Sequence, residues 1–69
     1  MIRLKKKYEI ESELKSIFND FGVKYDKDSM VESVSEKLEV SEDAVESVID
    51  DMIEKNIFFE FDKNTVVRQ

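Results

Sequence analysis

The sequence predicts an α+β domain of three helices, with a short strand after the first helix and a C-terminal β-hairpin. Three observations predict it. Apolar residues recur at three- and four-residue steps in three separate stretches, the period of a helix with one buried face. After Asn56 that period gives way to the β-branched and aromatic run Ile57-Phe58-Phe59-Glu60-Phe61, then turn residues, then Thr65-Val66-Val67. With 69 residues, one Gly and no Pro, the chain shows no linker and has room for one domain with a modest core.

Ile10, Leu14, Ile17, Phe18 and Phe21 fall on one helical face and place the first helix at 8–21. Gly22 follows at the position of a left-handed C-cap. Residues 1–7 then form a basic N-terminal arm, and 8–69 the domain. Val23-Lys24-Tyr25 alternates as a very short strand does. Asp26 to Ser29 is a polar turn, and Ser29 with Glu32 reads as a capping box opening a second helix at 29–38. Its buried positions are Met30 or Val31, Val34 and Leu38. After the break at Glu39-Val40, Ser41 is an N-cap, with Glu42 and Asp43 at the positive end of a third helix, 42–55. Ala44, Val45, Val48, Ile49, Met52 and Ile53 make its apolar stripe. So short a connection makes the second and third helices neighbours.

In the hairpin, Asp62-Lys63-Asn64 is the turn, with Asn64 suited to a positive φ. Ile57, Phe59 and Phe61 share one strand face and are expected to close the core. Phe58 and Val67 are left for the outer face, where an exposed apolar pair marks a partner contact. The simpler role, core, outweighs a stacking platform for single-stranded nucleic acid in this cluster. Phe18, Phe21 and Tyr25 are also expected in the core, with the Tyr25 hydroxyl at the surface.

Over about residues 8–68 this order resembles the winged helix-turn-helix superfamily. Val31, Val34 and Leu38 look like the buried positions of its second helix, Val40-Ser41 like its turn, and Val45, Val48, Ile49 and Met52 like the buried side of its third. Glu54-Lys55-Asn56-Ile57 resembles the passage into the wing, with Asn56 where Gly is usual; both tolerate φ > 0. The resemblance implies a winged-helix-like domain. It does not select a function, because such domains read DNA, bind RNA or bind only proteins.

Where the superfamily binds DNA, its third helix enters the major groove and its wing touches the backbone. The charge map here opposes that use. The net charge of −6 arises from 11 basic and 17 acidic residues, and it is unevenly spread. Residues 1–8 carry +4, 28–40 carry −3, 41–55 carry −5 and 56–69 are neutral. A third helix with Glu42, Asp43, Glu46, Asp50, Asp51 and Glu54 against Lys55 repels phosphates instead of neutralising them. It also lacks the Arg, Asn or Gln of the usual bidentate base contacts. Nucleic-acid contact is confined to Arg3, Lys5, Lys6 and Lys7 of the arm and Lys63 and Arg68 of the hairpin.

Composition removes other chemistries. Without Cys there is no disulfide, thiolate zinc site or cysteine nucleophile, and without His no Ser-His or Cys-His mechanism. An EF-hand loop counted from Asp26 would need Gly at its sixth position, where Val31 stands. Asp50 and Asp51, adjacent on a helix, diverge by roughly 100° and do not chelate together. No catalytic residue, metal or cofactor is expected. No apolar run reaches the roughly 18–20 residues of a membrane span, and the basic start is not followed by the apolar stretch of a secretory signal. A cytoplasmic protein, free-standing or part of a longer chain, is expected.

The expected function is protein–protein interaction in a replication- or transcription-type assembly. Glu42, Asp43, Glu46, Asp50 and Phe58 are the candidate contacts to a partner with a basic surface. The alternative is a DNA-binding transcriptional regulator that holds the phosphate backbone through the arm and the wing, alone or as a homodimer.

Overall fold

The computed structural model describes residues 4–69, with side chains from Lys6 onward. Its elements are α1 (Leu4–Ile17), β1 (Lys24–Asp26), α2 (Lys27–Leu38), α3 (Glu42–Glu54), β2 (Phe58–Asp62) and β3 (Thr65–Arg68). The strands form one antiparallel sheet in the order β1-β3-β2. The layout is that of a small winged-helix-like α+β domain: three helices, a short strand and a C-terminal hairpin.

The three helices and the inner face of the sheet share one core. Ile10 and Leu14 of α1, Met30, Val31 and Val34 of α2, Ala44, Val45, Val48, Ile49 and Met52 of α3, Phe58 of β2 and Val66 of β3 are buried. The spacings read from the sequence name every helical member of this set, with Met30 and Val31 both buried where one of the two was expected.

Helix α1 lies four residues earlier than expected. Lys5, Lys6 and Lys7 favour the helix and extend it back to Leu4. At the other end, Asn19 and Asp20 follow the last helical bond, from the Phe18 N–H to the Leu14 carbonyl (2.9 Å). Gly22 is therefore not the cap of α1. It takes φ +81 as the third residue of a turn closed by the Val23 N–H on the Asp20 carbonyl (3.4 Å). The earlier end of the helix leaves Ile17 42% and Phe21 72% exposed, so neither is the core residue expected. Phe18 does pack on the core, edge-on to Tyr25 at 5.1 Å. The Tyr25 hydroxyl accepts the Asp20 N–H at the surface (3.2 Å).

The expected cap of α2 is also displaced. Asp26, not Ser29, is the N-cap, and its Oδ2 accepts both the backbone N–H (3.2 Å) and the hydroxyl (2.9 Å) of Ser29. Ser41 caps α3 as expected, accepting the Ala44 N–H (3.2 Å).

Helices α2 and α3 end alike. Glu39 and Asn56 adopt left-handed φ of 54° and 65°. The next N–H, of Val40 and of Ile57, reaches back to the carbonyls of Ser35 (3.1 Å) and Met52 (2.9 Å). These are the six-to-one bonds of a Schellman turn. Asn56 suits this conformation; Glu39 holds it at some cost in strain.

The second turn reverses the expected hairpin register. Ile57 completes the cap of α3 and packs inward as its apolar partner residue. Strand alternation starts one residue later, with Phe58 inward at 1% exposure and Val66 inward at 0%. Phe59 and Phe61 face outward, each 52% exposed. β3 pairs Val66 with Tyr25 and Glu60, and Val67 with Lys24 and Phe59. An irregularity between Glu60 and Asp62 leaves Phe61 as the extra residue on β2. Asn64 does not take the expected positive φ. Its N–H bonds instead to the Asp62 carboxylate (2.9 Å), so an Asx turn shapes the tip.

Candidate functional site

The charged side chains divide between those engaged inside the fold and those left on its surface. The seam between α1 and α3 holds a continuous set of ion pairs. Lys7 of α1 meets Asp51 of α3 at 3.4 Å, and Lys55 meets the same carboxylate oxygen at 3.1 Å. Lys55 also reaches Glu11 (3.6 Å), which pairs with Lys15 (3.6 Å). That Asp51 oxygen is shielded from solvent. The Lys55 ammonium, helped by Lys7, outweighs this desolvation and lowers the Asp51 carboxyl from its ordinary value. Asp51 and then Glu11 raise Lys55 in return.

The candidate nucleic-acid contacts are distributed over this arrangement. Arg3 and the side chain of Lys5 lie outside the described residues. Lys6 is held by Glu9 (3.3 Å) and the Leu38 carbonyl (3.5 Å), and Lys7 by Asp51. Both ride on the first turns of α1. Arg68 donates to the Ile57 carbonyl (3.2 Å) and to the Gln69 carbonyl (2.6 Å), with its guanidinium over the rings of Phe21 (5.1 Å) and Phe58 (5.8 Å). Lys63 stands exposed at the hairpin tip and makes no ion pair among the described residues. The structure brings none of these cations together into one groove.

The candidate partner contacts fare differently. Phe58 is a core residue with 1% exposure, and it is withdrawn as a partner contact. Asp50 is exposed but holds Lys27 (3.3 Å) across from the start of α2. Glu42, Asp43 and Glu46 are exposed on α3, without an ion pair among the described residues. Glu54 extends them along the helix. On α2, Asp28, Glu32 and Glu36 follow at four-residue steps, and Glu39 stands in the turn; all are exposed and equally unpaired. The outward sides of the helix pair are thus acidic along their length. Helix dipoles favour Asp28, Glu42 and Asp43 in first turns.

A shallow, open depression of about 440 Å³ lies between α1 and the end of α2, lined by Tyr8, Glu9, Ser12, Glu13 and Leu38. Its two carboxylates are engaged, Glu9 with Lys6 and Glu13 with Lys37. Among the described residues no three carboxylates converge as metal ligands, and no helix is long and apolar enough to cross a membrane.

Sequence reasoning missed two surface features. One is the α1–α3 ion-pair seam, signalled by charges four residues apart at 7, 11 and 15 and at 51 and 55. The other is the outward aromatic pair Phe59 and Phe61, hidden by the one-residue error in register.

Comparison of the chain with protein-family models gives no match, and comparisons with curated proteins and with solved structures give none either.

Proposed function

We propose that this chain is a winged-helix module that acts by protein–protein contact, offering the acidic outer sides of α2 and α3 to a partner with a basic surface. One observation carries the reading. Lys6, Lys7, Lys27 and Lys55 are tied up in internal pairs, while Glu42, Asp43, Glu46 and Glu54 of α3 and the four acids of α2 and its turn face solvent unpaired among the described residues. A duplex approaching α3 meets only like charge, whereas a Lys- or Arg-rich surface meets complementary charge that steers its approach. The same pairs weigh against the alternative, a DNA-binding regulator using the arm and wing. Of its proposed contacts with described side chains, only Lys63 is not already engaged. A cytoplasmic replication- or transcription-type assembly is the setting this reading favours.

The deciding experiment compares affinity capture by the wild-type chain and by Glu42→Lys/Glu46→Lys, alongside fluorescence anisotropy with labelled duplex DNA at about 50 mM and 200 mM salt. A basic partner retained by wild type and lost on charge reversal, at unchanged melting temperature, supports the reading. Capture indifferent to the reversal, or duplex binding that falls steeply with salt, overturns it.

A further inference from the structure

The sheet has two edges, and they are protected unequally. β1 is three residues long, with charged residues at both ends. β2 is the longer edge, with neither Lys nor Pro; its bulge at Phe61 and the charge of Asp62 guard only its far end and leave Phe58–Glu60 regular. The Gln69 N–H donates to the Ile57 carbonyl (2.9 Å), so the backbone groups of Ile57 and, two residues on, Phe59 point at β3. Those of Phe58 and Glu60 therefore point to the open side. Among the described residues no backbone hydrogen bond from outside the sheet reaches either. Alongside this edge, Phe59 and Phe61 stand on one face, each 52% exposed, and Lys24 reaches over the Phe61 ring at 4.0 Å.

We propose that this edge forms a homodimer, with β2 pairing antiparallel to β2 of a second copy about a two-fold axis at Phe59. This goes beyond the acidic docking surface and uses a different part of the molecule. The hydrogen-bonding parity selects the register. Phe58 and Glu60 exchange backbone bonds with the second copy's Glu60 and Phe58. Phe59 then faces its own copy as a closely spaced, non-hydrogen-bonded pair, with Cα atoms about 4.5 Å apart. Phe61 falls opposite the second copy's Ile57. A two-fold at Glu60 would instead set two carboxylates directly opposite, which is unfavourable. In the register at Phe59, Phe59 meets Phe59 of the second copy and no like charges face each other.

Charge distribution favours the same approach. Residues 56–69 are neutral in a chain of net −6, so two copies meet with least repulsion along this hairpin. Four half-exposed rings offer roughly 400 Å² of apolar surface. That sits below the roughly 1,200 Å² of stable complexes, so the dimer is a weak one.

Analytical ultracentrifugation of the whole chain, from about 10 µM to about 1 mM, tests it at about 50 mM and 500 mM salt. The expected mass rises from the monomer's 8.2 kDa towards twice that value, and more readily at high salt, because salt screens the net charge of each copy. Phe59→Lys remains monomeric with an unchanged melting temperature. Since the chain has no Cys, Phe59→Cys reports the register directly. At the predicted Cα separation it oxidises to a covalent dimer at least about tenfold faster than Glu46→Cys. A wild-type chain still monomeric at the top concentration overturns the proposal, as does a dimer that survives Phe59→Lys. Cross-linking no faster than at position 46 overturns the axis at Phe59. A monomer that binds oligothymidylate through Phe59 and Phe61 replaces the dimer with a nucleic-acid stacking platform.

Discussion

The ammonium of Lys7 and the carboxylate of Asp51 stand 3.4 Å apart, joining the start of α1 to the last turns of α3. A cation that a linear reading assigns to a free basic arm is thereby part of the domain's own packing. The counter-charge nearest the acidic third helix comes from the chain itself.

The Asp51 pairing makes stability pH-dependent. Its carboxyl is lowered in the folded state by Lys55, with Lys7 adding. A lowered carboxyl contributes stability that is present above its unfolded value, near 4, and lost as pH falls through the folded value. Urea unfolding of Asp51→Asn is therefore expected to show a lower midpoint than wild type at pH 7, and the gap closes towards pH 3. The raised Lys55 acts in the opposite range, its contribution fading only as pH climbs above about 10.5.

Ser41→Ala removes the side-chain acceptor for the Ala44 N–H and leaves the first turn of α3 uncapped. The expected cost is about 1 kcal/mol. For a domain of this size, that lowers the melting temperature by roughly 4–8 °C, measurable by circular dichroism.

Phe58 and Phe61, three residues apart, are expected to behave as opposites. Phe58→Ala empties the centre of a small core and costs about 3–5 kcal/mol, much of what a domain this small possesses. Phe61→Ala forfeits a contact with Lys24 and costs less than about 1 kcal/mol. Denaturant titrations of the two variants check both the register and its consequence.

Glu39→Gly relieves a left-handed residue at the end of α2 and is expected to stabilise the chain by about 0.5–1 kcal/mol. Gly22→Ala does the reverse. A Cβ there meets nothing within 4 Å, so the roughly 1 kcal/mol loss comes from the backbone alone at φ +81.

The helices were legible because period and capping speak for themselves: Val45, Val48, Ile49 and Met52 spell one buried stripe behind an N-cap at Ser41. What escaped was decided between elements. Asp26 reads as a turn residue until β1 delivers it to the start of α2, where a carboxylate displaces Ser29 as the cap. Alternation alone cannot tell whether Ile57 belongs to the strand or to the end of the preceding helix, and its role as a capping contact turned Phe58 inward and Phe59 and Phe61 outward, while Val67 keeps the outer face expected of it. The acidic residues themselves were visible. The four-residue step from Asp51 to Lys55 is open to view, but that Lys7 also reaches Asp51 and Lys27 reaches Asp50 depends on which lysines α1 and α2 bring near, and the sequence does not display that.

β3 is the middle strand of the sheet and the last of the domain's elements to leave the ribosome. β1 and β2 do not touch as neighbours; each pairs only with β3. At ordinary translation speeds, roughly 2–10 s separate completion of α1 from the arrival of β3. Throughout that interval the nascent chain has helices with nothing to close them and two strands with nothing to join. The sheet of this domain therefore cannot close before β3 emerges, and a nascent chain halted before residue 65 presents its apolar faces to whatever chaperone or partner waits at the tunnel exit.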